Sequence, residues 1–271
     1  MSEWRVKFDG PCSRCGIVLA RGSVAVWNRA SRSMHCVECP TAGHRVEAEA
    51  PPPIDAGIAG GSARREHGRR VAKREADTRA RWGNRIGGLV LKLTDEPQST
   101  RAWRVGAEGE EKLAKALAEV DGLRVLNDRR VPGTRGNIDH IVVAPAGVFV
   151  VDAKHYKGLV KVRDRGGLFR TDLRLYVAGR DCSHLAEGLG WQVEAVEQAL
   201  ESADLDPLPP VTPVLCFIGA EWPLFRPPSS FGGVRLESIR SLRGLLADEQ
   251  ALDGAAIDRT LRVLATTLPA K

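Results

Sequence analysis

The chain has 271 residues, of which 27% are charged and 43% are hydrophobic, a composition typical of a globular protein rather than a disordered or fibrous one. Its longest apolar stretch, residues 141–151, contains a proline and a glycine and is shorter than the ~20 residues that cross a bilayer. The first residues also lack the layout of a secretion signal. We therefore expect a cytoplasmic protein without a membrane partner, whose cysteines are thiols or metal ligands.

Composition divides the chain into four parts. We expect a four-cysteine module at 1–45, an Ala/Pro/Gly-rich linker at 46–62, a basic helical connector at 63–101 and a main domain at 102–271.

The first part carries two C-x-x-C pairs, Cys12/Cys15 and Cys36/Cys39, separated by 20 residues. This spacing closely fits the signature of a zinc site held by four thiolates. Such a site has no open position for water, so we expect a structural Zn²⁺ that allows a module with few large apolar side chains to fold. Two disulfides or four unrelated thiols are the alternative interpretation.

The basic connector holds the whole net charge of +6, because residues 64–85 contain nine Arg or Lys and three Asp or Glu. A helix is predicted over 63–82, with Arg69, Arg70, Lys73 and Arg74 on one face. A positive face of this kind gives salt-sensitive affinity for phosphates, so these four residues are candidates for nucleic-acid binding. A solvated linker helix is the alternative.

The main domain alternates helical and strand-like periodicity. Helices are predicted over 107–120 and 185–200, and two short ones at the end of the chain. Strands are predicted over 123–126, 138–144, 148–153, 159–162, 173–177 and 211–218. This order predicts an α/β fold with a mixed sheet flanked by helices.

Acidic residues gather at the ends of these predicted strands. Asp152 and Lys154 lie two apart and share one face of a strand, while Asp139 lies on the strand before it. Glu110, in the first helix, adds a third carboxylate. Carboxylate oxygens are the ligands that Mg²⁺ prefers, and a lysine can position water or stabilise charge on a phosphate.

The runs GAEGEE (106–111) and GNIDHIVVAPAGVFVVDAKHYKG (136–158) resemble the nuclease-related domain, or NERD, family of the PD-(D/E)xK restriction-endonuclease-like superfamily. The resemblance covers about residues 102–220. It implies a restriction-endonuclease-like core, Glu110 as the acid of the first helix, and Asp139 as a metal-binding acid. By the same motif, Asp152 and Lys154 form the (D/E)-x-K pair, and Gln192 is a weaker match to an assisting glutamine.

The resemblance implies metal-dependent hydrolysis of phosphodiester bonds, with Mg²⁺ or Mn²⁺ held by Asp139 and Asp152. Our first hypothesis is a nuclease that acts on DNA. A nucleic-acid-binding or scaffold protein without turnover is the second, and an RNA-cleaving nuclease is the third. Protein partners cannot be predicted from these patterns.

Overall fold

The structure is a computed structural model that describes residues 2–28, 31–37, 52–167, 169–203, 205–247 and 252–271. The chain forms two compact units, Met1–Pro53 and Ile54–Lys271. No helix in the described ranges combines the length and apolarity that a membrane span requires.

The first unit is built from five short strands: β1 (Ser2–Arg5), β2 (Gly10–Pro11), β3 (Val18–Leu19), β4 (Val24–Asn28) and β5 (Ser33–Cys36). Strands β1, β4 and β5 form an antiparallel sheet in the order β1-β4-β5, and β2 pairs with β3. Among its described residues, the buried apolar core is formed by Val6, Cys12, Leu19 and Ala25. So small a core needs a covalent or metal crosslink for stability.

The second unit places helices on both faces of a mixed sheet. Its described helices are α1 (Gly61–Leu93), α2 (Gln98–Ala118), α3 (His184–Glu187), α4 (Gly190–Glu201), α5 (Ile239–Ala247) and α6 (Gly254–Thr267). Its described strands are β6 (Arg124–Arg130), β7 (Asn137–Ala144), β8 (Gly147–Lys154), β9 (Gly158–Asp164), β10 (Leu173–Val177), β11 (Arg180–Asp181), β12 (Val211–Phe217), β13 (Ala220–Glu221), β14 (Ser230–Phe231) and β15 (Val234–Glu237).

The central sheet has the order β14-β15-β12-β8-β7-β6, in which β8, β12 and β15 are parallel and the other neighbours antiparallel. Strand β8 is buried along almost its whole length. Val148 and Val150 pack on the side of α4 and α6, whereas Phe149 and Val151 pack on the side of α2 and α5. Burial on both faces explains the Val-rich sequence of this strand. The predicted mixed α/β fold is confirmed.

Two predicted helices differ from the observed ones. The predicted helix over 185–200 consists of α3 and α4, with Gly188 and Leu189 between them. The predicted basic helix continues to Leu93, but Gly83 has a left-handed φ of 71° and breaks it. The chain turns back there, so that the Arg74 guanidinium donates to the carbonyl of Thr94 at 3.0 Å.

Residues 54–60, which precede α1, belong to the second unit and pack along its strand β6. The backbone N–H of Asn127 donates to the carbonyl of Ala56 at 2.7 Å. Gly57 has a left-handed φ of 70°, and a Cβ there would lie 2.0 Å from the carbonyl oxygen of Asn127. This close approach requires glycine.

Candidate active site and cysteine cluster

Strands β7 and β8 bring Asp139, Asp152 and Lys154 to one end of the sheet. His140 pairs with Val151 across these strands, so Asp139 is level with Asp152. By alternation, Asp152 and Lys154 project on the same side as Val148 and Val150. The Lys154 ammonium donates to Oδ1 of Asp152 at 2.5 Å, and the Asp152 residue is only 7% exposed.

Helix α2 supplies Glu110 to the same cluster. Glu110 lies one and two turns before Leu113 and Leu117, which are fully buried, and this spacing turns its side chain inward. At Gly109 the helix approaches the end of β8 so closely that a Cβ would lie 3.0 Å from Cβ of His155. The Glu110 carboxylate accepts a hydrogen bond from the Gly60 amide at 2.9 Å.

The carboxyl groups of this cluster repel one another. Burial, followed by the charges of Asp152 and Glu110, raises the pKa of Asp139 well above its ordinary value. Burial is also the main reason that the pKa of Glu110 is raised to about 7; Asp128 and Asp152 add to it, and the Gly60 hydrogen bond works against it. Acid groups in low dielectric retain protons in this way.

Lys154 is the cation that faces these acids. Burial alone lowers the pKa of its ammonium group, but the charges of Asp152 and Asp139 outweigh burial and the pKa is raised. The ammonium therefore stays charged at neutral pH.

Asp128, which the sequence did not single out, is a further buried acid beside Glu110. It is 2% exposed and has a left-handed φ of 46°. Its carboxylate accepts hydrogen bonds from the Ser62 amide (2.7 Å), the Ser62 hydroxyl (2.7 Å), Arg65 (3.1 Å) and the Asn137 side chain (3.0 Å). Asp128 thus holds the first turn of α1 against β6. No local signal in the sequence relates residues 62 and 128.

Gln192 lies in the first turns of α4. It is 8% exposed and lies one turn before Val196, which packs on the same side of the sheet as Val150. Its Oε1 has no hydrogen-bond partner in the described part of the chain. Its predicted assisting role stays a prediction, as do the roles of the four residues that converge.

The four basic residues predicted to bind nucleic acid lie on α1 and are engaged within the protein. Arg69 and Arg70 both form ion pairs with Glu66, and Lys73 pairs with Asp77. Arg70 also lies over the ring of Trp103, at 5.5 Å from its centroid. Arg74, which contacts Thr94, and Arg70 therefore turn toward neighbouring segments, whereas the Arg69 and Lys73 side chains are 75% and 76% exposed.

In the first unit, Cys12, Cys15 and Cys36 converge, and Cys39 lies outside the described residues. The sulfur of Cys36 is 3.8 Å from that of Cys12 and 3.5 Å from that of Cys15. A tetrahedron with Zn–S bonds of ~2.3 Å has S···S edges of about 3.8 Å. Burial raises the pKa of Cys12, but hydrogen bonds from the amides of residues 14, 15 and 36 outweigh it and lower the pKa to about 6. The spacing of the three sulfurs and the lowered pKa of Cys12 therefore suit the cluster to bind a metal ion.

This cysteine cluster is the one group of at least three Cys, His, Asp or Glu in the described ranges whose ligand atoms all lie within 4.8 Å of one another. The carboxylates around Lys154 converge but are not closed into a coordination sphere.

Comparison with known proteins gives a match to a protein-family model. No curated protein and no solved structure matches the chain. The match supports the resemblance drawn from the two motifs and indicates a nuclease-related function. Residues 105–218, which carry Glu110, Asp139, Asp152, Lys154 and Gln192, match the family model of NERD, the nuclease-related domain.

Proposed function

We propose that the second unit is a metal-dependent nuclease that hydrolyses phosphodiester bonds of DNA. The observation that carries this proposal is the convergence of Glu110, Asp139 and Asp152 on one lysine, within the segment that matches the nuclease-related domain. A cluster of acidic residues with strongly shifted pKa values at the end of a strand is typical of a functional site.

The donor set fits a divalent cation. Asp152 pairs with Lys154, and Asp139 and Glu110 lie near enough for their charges to interact with this pair. Burial first, and then the charge of Asp152 on each of them, raise the pKa values of Asp139 and Glu110. Mg²⁺ or Mn²⁺ would be held by Asp139 and Asp152, whose oxygens are the hard ligands such ions prefer. When bound, the ion supplies Lewis acidity toward a phosphoryl oxygen and a more acidic water.

Lys154 and Glu110 would act on the substrate and on protons beside the bound ion. The Lys154 ammonium, held by Asp152, is suited to donate a hydrogen bond to a phosphoryl oxygen as negative charge develops there. Glu110 is held by the Gly60 amide and, with a pKa of about 7, can accept or release a proton near neutral pH.

Cleavage of supercoiled plasmid and labelled oligonucleotides tests this proposal. We expect cleavage with added Mg²⁺ or Mn²⁺, and none when the added ion is omitted. Asp152→Asn and Lys154→Met should each lower the rate at least about 100-fold, the lower end of what such groups contribute. Glu108→Gln is the control for removal of an acidic group. Glu108 lies on α2, as Glu110 does, but its side chain is 50% exposed and pairs with Arg104.

Two results would contradict the proposal. Equal cleavage by the wild type and Asp152→Asn would place the activity elsewhere. An inert wild type that binds the oligonucleotides as tightly as Asp152→Asn would favour the non-catalytic binding protein. A third result, faster cleavage of RNA than of DNA, would change the proposed substrate to RNA and leave the proposed site unchanged.

For the first unit we propose a structural Zn²⁺ bound by Cys12, Cys15, Cys36 and Cys39. The S···S distances among the three described cysteines and the small core of this unit support it. Metal analysis of the purified protein should find one zinc per chain, and Cys12→Ser should remove it.

A further inference from the structure

In the described part of the first unit, one face of the sheet carries aromatic side chains that the core covers at one end and leaves accessible at the other. Trp27 on β4 pairs with Met34 on β5, and Ala25, two residues before Trp27, pairs with Trp4 on β1. These side chains therefore share one face. At the Ala25 end this face is closed by the small core, whereas at the Trp27 end it opens into a cavity of about 460 Å³.

The cavity is lined by flat apolar groups and by positive charge. Its lining residues are Trp4, Arg5, Lys7, Phe8, Trp27 and Met34. Phe8 is 81% exposed and Trp4 is 50% exposed. The described core of this unit is small, so leaving aromatic rings in water costs it stability that burying them would add. Rings gathered around one opening therefore indicate a ligand.

The charges restrict the class of this ligand. Both charged residues of the lining, Arg5 and Lys7, are basic, and Arg5 is oriented by a hydrogen bond to the carbonyl of Gly22 at 3.2 Å. A quaternary ammonium ligand, which also binds to aromatic rings, is excluded because the positive charges of Arg5 and Lys7 would repel it. A ligand with flat apolar rings and regularly spaced anionic groups satisfies both parts of the lining.

We infer that this face binds single-stranded nucleic acid, with bases stacked on the rings of Trp27 and Phe8 and phosphates beside Arg5 and Lys7. Duplex bases are already stacked on one another, so only unpaired bases offer their faces to such rings. This site lies in a different unit from the proposed nuclease site and does not depend on catalysis there.

Fluorescence anisotropy with a short labelled oligothymidine tests the inference. All proteins carry Asp152→Asn so that the probe stays intact, and all are measured as the full zinc-loaded chain. Trp27→Ala and Phe8→Ala should each weaken binding at least about fivefold, the lower end for loss of one stacked base. Trp27→Phe should restore most of the affinity, because it keeps a ring. Lys7→Ala should lower the slope of log K against log salt by about 0.7.

The chain offers a matched control in Trp82, an exposed tryptophan on α1 that is 48% exposed. Trp82→Ala should bind oligothymidine like the parent protein. Zinc content and far-UV circular dichroism check the fold of each variant. Phe8→Ala and Lys7→Ala alter exposed side chains, so they test the inference even if Trp27→Ala fails to fold.

Unchanged oligothymidine affinity in Phe8→Ala and Lys7→Ala would overturn the inference and assign the face to a protein partner. An equal loss of affinity for duplex and single strand would also overturn it, because base stacking would then not be the contact. Cleavage of duplex DNA by the corresponding proteins with Asp152 intact is a separate readout. Its failure would refute the nuclease and leave the binding result standing.

Discussion

Replacing Glu110 with glutamine should make the second unit more stable at alkaline pH. The pKa of Glu110 is raised from an ordinary 4.5 to about 7, mainly by burial. The folded protein therefore binds this proton more tightly than the unfolded chain does. The stability that the proton contributes is fully present below pH 4.5 and is lost as the pH rises through about 7. Glutamine mimics the protonated form and keeps an acceptor for the Gly60 amide.

The size of the effect follows from the two pKa values. Between pH 5 and pH 8, linkage with pKa values of 4.5 and about 7 gives a loss of about 2–3 kcal/mol from this one group. Glu110→Gln and the wild type should thus be similarly stable at pH 5, and the variant should be more stable by about that amount at pH 8.

Urea unfolding without added divalent ions, followed by circular dichroism at both pH values, measures this difference. His140, whose pKa burial lowers to about 4, acts in the opposite direction, since stability falls as the pH drops below 6.5. This term is common to both proteins and cancels in the comparison. Glu108→Gln is the control, because its side chain is half-exposed. If wild type and Glu110→Gln showed the same pH dependence, Glu110 would be ionised without cost and our reading of the cluster would be wrong.

Three further changes test contacts in the two units. Arg129 is 1% exposed and donates to the carbonyls of residues 55, 265 and 268, so Arg129→Met should cost about 2–4 kcal/mol and lower the melting temperature by about 5–15 °C, while exposed Arg130→Met should not. Gly60→Ala, whose Cβ would lie 2.9 Å from a backbone oxygen at a φ of 72°, should slow cleavage and destabilise the unit more than Gly122→Ala, which has a similar φ and open space. Cys12→Ser should abolish zinc binding and the circular dichroism signal of the first unit, and the melting of the second unit should persist as a separate transition.

The sequence predicted the strands that carry the site to within one residue at most ends. Strand β7 was predicted over 138–144 and spans Asn137–Ala144, and β8 was predicted over 148–153 and spans Gly147–Lys154. These strands are buried on both faces, so their sequences are nearly continuous apolar runs bounded by a turn, which is a strong local signal. The convergence of Asp139 and Asp152 follows from that register.

Long-range contacts were beyond the reach of sequence patterns. Nothing in the local sequence around Arg129 indicates that it is buried, yet it lies on β6 and its guanidinium donates to three backbone carbonyls. The same limit applies to Arg70 and Arg74 on α1. Their spacing predicts a positive face, but the turn at Gly83 and the position of Trp103 decide which of them face solvent.

Two buried acids of the second unit show why burial alone does not identify a functional residue. Asp128 receives four hydrogen bonds from the start of α1 and from β7, so its charge is satisfied by the fold and its role is structural. Glu110 receives one, from Gly60, and faces further acids. A buried carboxylate that has one hydrogen bond and acidic neighbours lowers the free energy of unfolding. A bound cation would offset this loss by supplying positive charge. Asp128 therefore anchors the start of α1, whereas Glu110 lies beside Asp139 and Asp152, the proposed ligands of the divalent cation.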